Sequence, residues 1–270
     1  MNMKIIDVHT HFFPDNIGPS TVKMLAEKAN IKAWGEGTAA SMREYMKKDG
    51  VTVSVNDPVA TKKEQVKSIN RKMAEFNKTS KDIIAFGSMH PLYREIGSPT
   101  EELEFLAANG IKGIKLHPEY QSFYPDDPSM KEIYEACAKN NIIILFHAGI
   151  DFAYPDLVHA TPERLLEVTK VPGLKLIFAH TGSYRMWEEV YAQLAGRDVY
   201  FDVSYSAEIG PEIMKKIIKK HGADKMLFGS DFPWMRAKQI IEMLETLGLD
   251  EDTREKLYYK NAEKLLQIKA

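Results

Sequence analysis

The chain has 270 residues, of which 44% are hydrophobic and 27% charged, and its formal net charge is −2. This composition is typical of a soluble globular protein, and the near-neutral charge gives no sign of a nucleic-acid or anionic-membrane partner. Cys137 is the single cysteine, which rules out an internal disulfide and fits a reducing cytoplasm. We therefore expect a cytoplasmic protein that acts on a small molecule, and we leave a homodimer open.

Eight short apolar segments predict β-strands, and amphipathic segments that predict helices separate them. Because each intervening segment has room for one helix, the strands are expected to be parallel. Eight such units in a chain of this length predict an α/β fold, a single-domain (β/α)8 TIM barrel over residues 1–270. A doubly wound open sheet is the alternative, but no Gly-x-Gly-x-x-Gly motif follows the first strand. The predicted strands are 4–8, 51–55, 83–87, 113–116, 142–146, 174–179, 199–203 and 226–229.

Capping residues mark the predicted helix ends. Thr38 precedes a helical segment that closes at Gly50, and Ser98 precedes one that opens with Pro99. Cys137 lies in an apolar helical stretch, where we expect a small core side chain. Three more helices are expected to open at the pairs Asp127-Pro128, Thr161-Pro162 and Gly210-Pro211.

Six of the eight histidines lie within three residues of the end of a predicted strand, many more than chance would place there. The carboxyl ends of all strands of a parallel barrel meet at one face, where such folds build metal centres. We therefore expect these imidazoles to converge. They are His9, His11, His90, His117, His147 and His180.

The strongest motif is the segment 7–11, Asp-Val-His-Thr-His. Alternate side chains of an extended chain share a face, so His9 and His11 point together and supply half of a tetrahedral metal site. Asp7 has the same parity one step deeper, where it is expected to hold a histidine N–H or a neighbouring strand. The alternative interpretation is a solvated turn with two incidental histidines.

His147, His180 and Asp231 each follow a strongly apolar segment. The run 142–146 before His147 predicts a strand buried on both faces. Asp231 is either the N-cap of a helix or a carboxylate directed into the barrel mouth. The second interpretation is favoured because Pro233 and Trp234 make the following loop rigid.

These motifs resemble the amidohydrolase superfamily of metal-dependent (β/α)8 barrels, in particular the branch that includes aminocarboxymuconate-semialdehyde decarboxylase. The resemblance implies that His9, His11 and His147 ligate a divalent metal, zinc or another ion such as Mn²⁺, with one ion favoured over two. It implies that Asp231 is a further ligand and proton carrier and that His180 is an electrophilic or acid/base group. The matching segments are Asp-Val-His-Thr-His at 7–11, Gly-Ile-Lys-Leu-His-Pro at 113–118, Leu-Phe-His-Ala-Gly at 145–149, Ala-His-Thr-Gly at 179–182 and Phe-Gly-Ser-Asp-Phe-Pro at 228–233.

Four residues are expected to bind substrate. Lys115 and His117 share a face of the fourth strand, and Lys115 is expected to pair with an inward carboxylate or a substrate anion. In relatives with two metals a carboxylated lysine on that strand bridges them, which is the alternative for Lys115. Arg185 suits a substrate carboxylate, and Trp234 is a candidate for the pocket wall.

Other positions are expected to contribute less. The segment 119–127 is predicted to be a loop at the mouth of the fourth strand, with aromatic and amide side chains in the pocket wall. His90 is either a pocket residue or a satisfied turn residue. His159 and His221 are expected to be inert surface residues.

The fold does not identify the substrate, because proteins of this superfamily catalyse many different reactions. We expect first a zinc-dependent hydrolase of a small amide, lactone or ester. Its metal would lower the pKa of a bound water to about 7, Asp231 would accept the proton, and His180 would stabilise the oxyanion. The alternative is a metal-dependent non-oxidative decarboxylase or hydratase of an aromatic or muconate-like acid, ranked second because the chain is short for the well-known decarboxylases. A metal-binding barrel without catalysis is the third interpretation.

Overall fold

Parallel strands close into a ring in the computed structural model, which describes residues 3–270. Each strand pairs with the next along the chain, and backbone hydrogen bonds from Val8 to Phe228 and from His11 to Phe232 join the last strand to the first. The predicted (β/α)8 barrel is thereby confirmed, and each predicted strand overlaps an observed one. The strands are β1 (Ile6–Thr10), β2 (Val53–Asn56), β3 (Ile83–Ala85 and Gly87–Ser88), β4 (Gly113–Leu116), β5 (Ile143–Phe146), β6 (Lys175–Phe178), β7 (Tyr200–Asp202) and β8 (Met226–Leu227).

Helices fill the connections between the strands and surround the ring. Within residues 3–270 none of them is long and apolar enough to cross a membrane. They are α1 (Gly18–Ala29), α2 (Ala39–Asp49), α3 (Val66–Thr79), α4 (Pro99–Ala108), α5 (Pro118–Gln121), α6 (Lys131–Lys139), α7 (Pro162–Val168), α8 (Trp187–Glu189), α9 (Pro211–His221), α10 (Ala237–Glu245), α11 (Glu251–Glu255) and α12 (Asn261–Leu266).

Side chains that alternate along the strands fill the barrel. In β5, Ile143 and Leu145 belong to the interior cluster, whereas Ile144 and Phe146 pack outward against the helices. The prediction that this strand is buried on both faces is confirmed. Leu266 of α12 also joins the interior cluster, so the last helix closes the end of the barrel where the strands begin.

The predicted caps are confirmed, but one predicted loop is partly helical. The Oγ atoms of Thr38 and Ser98 accept backbone N–H groups at 3.1 and 3.2 Å, and Gly50 adopts the left-handed conformation with φ 78°. The segment 119–127 begins inside α5, because the His117 side chain caps this helix and Pro118 fits its first turn. The helical start of this segment therefore places Glu119 close to the carboxyl end of β4.

Two histidines predicted at the surface are buried instead. His221 is 6% exposed, and its ring stacks on Phe201 with 3.8 Å between centroids. Its Nδ1 accepts the N–H of Gly196, and its Nε2 donates to the carbonyl of Val199. His159 is also buried, beside Glu119. The local sequence near residue 221 predicts a helix but does not predict the burial of His221. This burial arises because the last turn of α9 packs against β7, a neighbour that the local sequence does not specify.

We expect the titration of His221 to lower the free energy of unfolding by about 3 kcal/mol when the pH falls from 7 to 4. Burial lowers its pKa from the ordinary value of 6.5 to about 4. Between these values the unfolded chain binds a proton and the folded chain does not, so the stabilisation is present above pH 6.5 and is lost as the pH falls. Urea unfolding at several pH values should give a smaller loss for His221→Gln than for the wild type. Equal losses in both proteins would contradict the assignment.

Candidate metal centre

A cavity of about 540 Å³ opens at the carboxyl ends of the strands. Barrels of this topology place their active sites on this face. The floor of the cavity is polar and the outer wall is mostly apolar. The floor includes His9, His11, Asp57, Lys115, His117, His147, Asp151, His180 and Asp231, and the wall includes Phe12, Met24, Ile69, Phe152, Tyr205 and Trp234.

Two imidazoles and one carboxylate meet on this floor. The Nε2 atoms of His9 and His11 lie 3.5 and 3.1 Å from Oδ1 of Asp231. The three donor atoms lie within 4.8 Å of one another. The two histidines share a side of the chain at the end of β1, and Asp231 follows β8, which adjoins β1 where the ring closes. We call these three residues the first donor group.

Hydrogen bonds hold a proton on Nδ1 of both histidines of this group. Nδ1 of His9 lies 3.1 Å from Oδ2 of Asp202, and Nδ1 of His11 lies 2.8 Å from the backbone oxygen of Asp57. Carboxylate and carbonyl oxygens only accept, so both rings carry a proton on Nδ1. Burial lowers the pKa of His9 to about 3, which keeps this ring neutral. Nε2 of His9 therefore presents a lone pair on the side of Asp231, an arrangement that a divalent cation stabilises.

The backbone directs Asp231 into the cavity. Asp231 adopts the left-handed conformation with φ 71°, and its backbone N–H donates to the carbonyl of His9 at 2.8 Å. Asp7 accepts the N–H of His9 and both the N–H and the hydroxyl of Ser230, so it holds the neighbouring segment as predicted. Burial opposes the ionisation of Asp231, but His9 and His11 outweigh it and lower its pKa to about 2. The group thus contains an ionised carboxylate.

Lys115 lies on the same floor and is buried. Its Nζ is 2.8 Å from Nε2 of His9, so the lysine donates to one lone pair of the first donor group. Burial lowers its pKa, although the nearby carboxylates of Asp57 and Asp231 favour the charged form. Lys115 therefore places a donor at the edge of the group.

His180 lies beside the first donor group, with 5.3 Å between its ring centroid and that of His9. Its Nδ1 is 3.1 Å from the carbonyl oxygen of Ser204, which fixes a proton on this atom. Its Nε2 is therefore the nitrogen that can gain or release a second proton. This atom lies 3.1 Å from Nδ1 of His147.

The structure brings His147 closer to another set of residues than to the first donor group. Its ring stacks on His117 with 4.1 Å between centroids, and its donor atoms group with those of His117 and Asp151. Its assignment as a ligand of the same cation as His9 and His11 stays a prediction.

The residues predicted to bind substrate divide into two sets. Lys115, His117 and Trp234 line the cavity. Arg185 lies elsewhere: its guanidinium pairs with Glu208 at 2.7 Å, its side chain is 48% exposed, and it is not among the lining residues that the structure describes. His90 accepts a backbone N–H two residues further on, which is the turn role given as its alternative.

Four acidic residues near the floor were missed by the sequence reasoning, which followed histidines. Asp57 directly follows β2 and Asp202 ends β7. Glu119 and Asp151 lie a few residues beyond β4 and β5. The signal that identified the histidines, a polar residue shortly after an apolar strand, would also have identified these carboxylates.

The sequence matches the family model described as Amidohydrolase over residues 6–268. The chain belongs to the amidohydrolase family. This result confirms the family resemblance of the sequence motifs. A search of curated proteins found no match.

Solved structures with the same fold cover almost the whole chain. A TIM-barrel protein of Bordetella bronchiseptica is 20% identical, with a TM-score of 0.76 and coverage of 98% of this chain and 99% of that chain. The 5-carboxyvanillate decarboxylase of Sphingomonas paucimobilis is 13% identical, with a TM-score of 0.74 and coverage of 99% and 100%. A 5-carboxyvanillate decarboxylase of Novosphingobium aromaticivorans, complexed with manganese and a nitrobenzoic acid, is 16% identical, with a TM-score of 0.72 and coverage of 99% and 97%. At these identities the likeness shows the fold.

We expect Asp202→Asn to weaken zinc binding by about 10- to 100-fold. The substitution keeps the shape of the side chain but removes the carboxylate that holds the His9 proton on Nδ1. Zinc affinity is measured by competition with a chromophoric chelator. Asp198→Asn, whose side chain is 92% exposed, is the matched control and should bind zinc like the wild type. An unchanged affinity in Asp202→Asn would contradict this role.

Proposed function

We propose that this chain is a metal-dependent, non-oxidative decarboxylase of a small aromatic acid. The observation that carries the proposal is the convergence of two imidazole nitrogens and a carboxylate on the floor of a mostly apolar cavity. The two decarboxylases of carboxylated phenols among the compared structures support this reaction class.

His9, His11 and Asp231 would hold the cation, with His147 as the predicted fourth ligand. Two imidazoles and a carboxylate suit Zn²⁺, and the manganese in one compared structure makes Mn²⁺ the second choice. When bound, such a cation would hold and polarise oxygen atoms of the substrate. Because Nε2 of neutral His9 carries no proton, this ring would bind the ion without first losing one.

In this proposal His180 transfers a proton to the ring carbon of the substrate. Decarboxylation breaks the bond between the ring carbon and the carboxyl carbon, CO2 leaves, and the electron pair stays on the ring carbon, which takes up one proton. Nδ1 of His180 is committed to the carbonyl of Ser204, so the transferred proton enters and leaves at Nε2. Burial lowers the pKa of His180, which makes its protonated form a stronger acid.

The outer wall suits a planar aromatic ring. Phe152 packs against Tyr184 and Tyr205 with 5.2 and 5.4 Å between ring centroids, and all three line the cavity with Trp234. Aromatic faces bind other rings in offset or edge-to-face arrangements. A mostly apolar wall also solvates an ionised carboxylate poorly, which favours its loss as neutral CO2.

Hydrolysis of a small lactone or amide is the second candidate function. The position of Arg185 favours it, because this guanidinium pairs with Glu208 instead of lining the cavity as a receptor for a substrate carboxylate. In this reaction ionised Asp231 would accept the proton of the attacking water and return it to the leaving group.

We expect the zinc- or manganese-loaded protein to release CO2 from a hydroxybenzoate. Purified protein is incubated with 2,6-dihydroxybenzoate, 5-carboxyvanillate and related acids, and in parallel with a panel of lactones and amides. CO2 release and acid release are followed separately. Hydrolysis of a lactone or amide without CO2 from any acid would overturn the proposal in favour of the second candidate.

We expect His180→Gln to lower kcat of this reaction at least about 100-fold and to leave the bound zinc in place. The reason is that glutamine cannot carry a proton to carbon. His90→Gln, which alters a turn residue outside the cavity lining, is the control for both measurements. Full activity in His180→Gln would remove this residue from the proposed proton transfer.

A further inference from the structure

The helix α1 crosses the mouth of the cavity. Neighbouring strands of the ring follow chain order, so β1 and β5 lie on opposite sides of the barrel. Although α1 follows β1, Lys28 in its last turn donates to the hydroxyl of Tyr154 at 2.6 Å, and Tyr154 lies in the loop after β5. The same ammonium lies 5.0 Å from the ring centre of Tyr120 in α5. The helix therefore spans the opening from one side to the other.

The first turn of α1 is also held in place. Gly18 lies so close to Gly37 that a Cβ on Gly18 would be 2.8 Å from the carbonyl oxygen of Gly37. The same carbonyl accepts the N–H of Phe13 at 2.8 Å. Because contacts hold both Gly18 and Lys28, the position of α1 over the cavity is fixed at both ends.

The side of α1 that faces the cavity is mostly apolar. Thr21, Met24, Leu25 and Ala29 line the cavity, and their spacing of three or four residues places them along one side of the helix. Within residues 3–270, no side chain of α1 belongs to the two apolar clusters of the core. Met24 is 58% exposed. This apolar side is therefore available to a molecule inside the cavity.

Helix α3 extends this apolar surface. Ile69 and Met73, one helical turn apart, line the cavity, and α3 follows β2, the strand next to β1. The aromatic side chains of Phe152 and Tyr205 come instead from the loops after β5 and β7. The cavity thus has an aromatic part and an aliphatic part. We call the second part the aliphatic wall, and it comprises Met24, Leu25, Ala29, Ile69 and Met73.

We propose that the aliphatic wall binds an apolar chain attached to the aromatic ring of the substrate. The cavity has a volume of about 540 Å³. A cavity of roughly 150 Å³ holds a benzene ring, so there is room for more than a hydroxybenzoate. Methionine and aliphatic side chains adapt to a flexible chain. The inference rests on the proposed function for the acid and its ring, whereas the apolar contacts do not depend on the reaction.

The continuity of the aliphatic wall with the floor favours a substrate chain over a protein partner. Met24 and Ile69 line the same cavity as Lys115 and Asp231. A molecule whose acid group lies at the floor can therefore reach the wall without leaving the cavity. A second copy of this chain is the competing occupant, because Ile17 and Met24 are 44% and 58% exposed.

The test is a series of binding measurements by isothermal titration calorimetry on the zinc-loaded, full-length protein. The probes are benzoate, 4-propylbenzoate and 4-pentylbenzoate, which lack the phenolic hydroxyl of the proposed substrates, so binding is measured separately from CO2 release. We expect Kd to fall about two- to threefold for each added methylene. This wild-type series needs no variant.

The double variant Met24→Gln/Leu25→Gln tests the location of the chain. We expect it to bind 4-pentylbenzoate at least about tenfold more weakly than the wild type and to bind benzoate equally well. Glutamine is a good helix former, and circular dichroism checks the fold. Lys23→Gln places the same residue on the other side of α1, where the side chain is 77% exposed, and should bind every probe like the wild type.

Equal affinities for benzoate and 4-pentylbenzoate would overturn the inference, as would a gain with chain length that survives in the double variant. A wild-type dimer that the double variant dissociates in sedimentation velocity, without any gain with chain length, would assign the wall to a second copy. The proposed function fails separately. A gain with chain length but no CO2 from any acid would keep the aliphatic wall and overturn the decarboxylase, and CO2 release without the gain would do the reverse.

Discussion

The mouth of this barrel is organised around imidazole nitrogens and a carboxylate that converge in a buried site. In the first donor group the Nε2 atoms of His9 and His11 lie 3.5 and 3.1 Å from Oδ1 of Asp231. Such an arrangement is unfavourable in a buried site unless a positive charge lies among the acceptors. The chain provides part of that charge through the ammonium group of Lys115. A divalent cation would provide the rest.

The hydrogen-bond partners of the histidine Nδ1 atoms fix the orientation of the imidazole rings. Asp202, the backbone of Asp57 and the backbone of Ser204 each accept the Nδ1 proton of one imidazole. Asp202 ends β7, Ser204 lies in the loop after β7, and Asp57 directly follows β2, so the proton positions of the histidines after β1 and β6 depend on other strands. Because these partners fix the direction of each lone pair, they determine metal affinity as much as the ligands do.

Loop contacts bring the histidines of neighbouring strands together. The residue after Ala148, Gly149, adopts a left-handed conformation with φ 87° and forms a bridge with Tyr184. A Cβ at Gly149 would lie 2.2 Å from the backbone nitrogen of Tyr184, so only glycine allows this approach. The close contact holds the loops after β5 and β6 together, and His147 and His180 meet above them at 3.1 Å. The proposed proton transfer depends on this contact.

The sequence by itself determined the barrel, its strands and the pairing of His9 with His11, because these features follow from local periodicity. It also indicated Asp231, since a rigid loop follows that residue. The tertiary structure decided the rest. It turned Arg185 towards Glu208, grouped His147 with His117 and Asp151, and buried His221 against Phe201. The physical reason is that these outcomes depend on contacts between segments far apart in the chain, whose distances and proton positions no local pattern specifies.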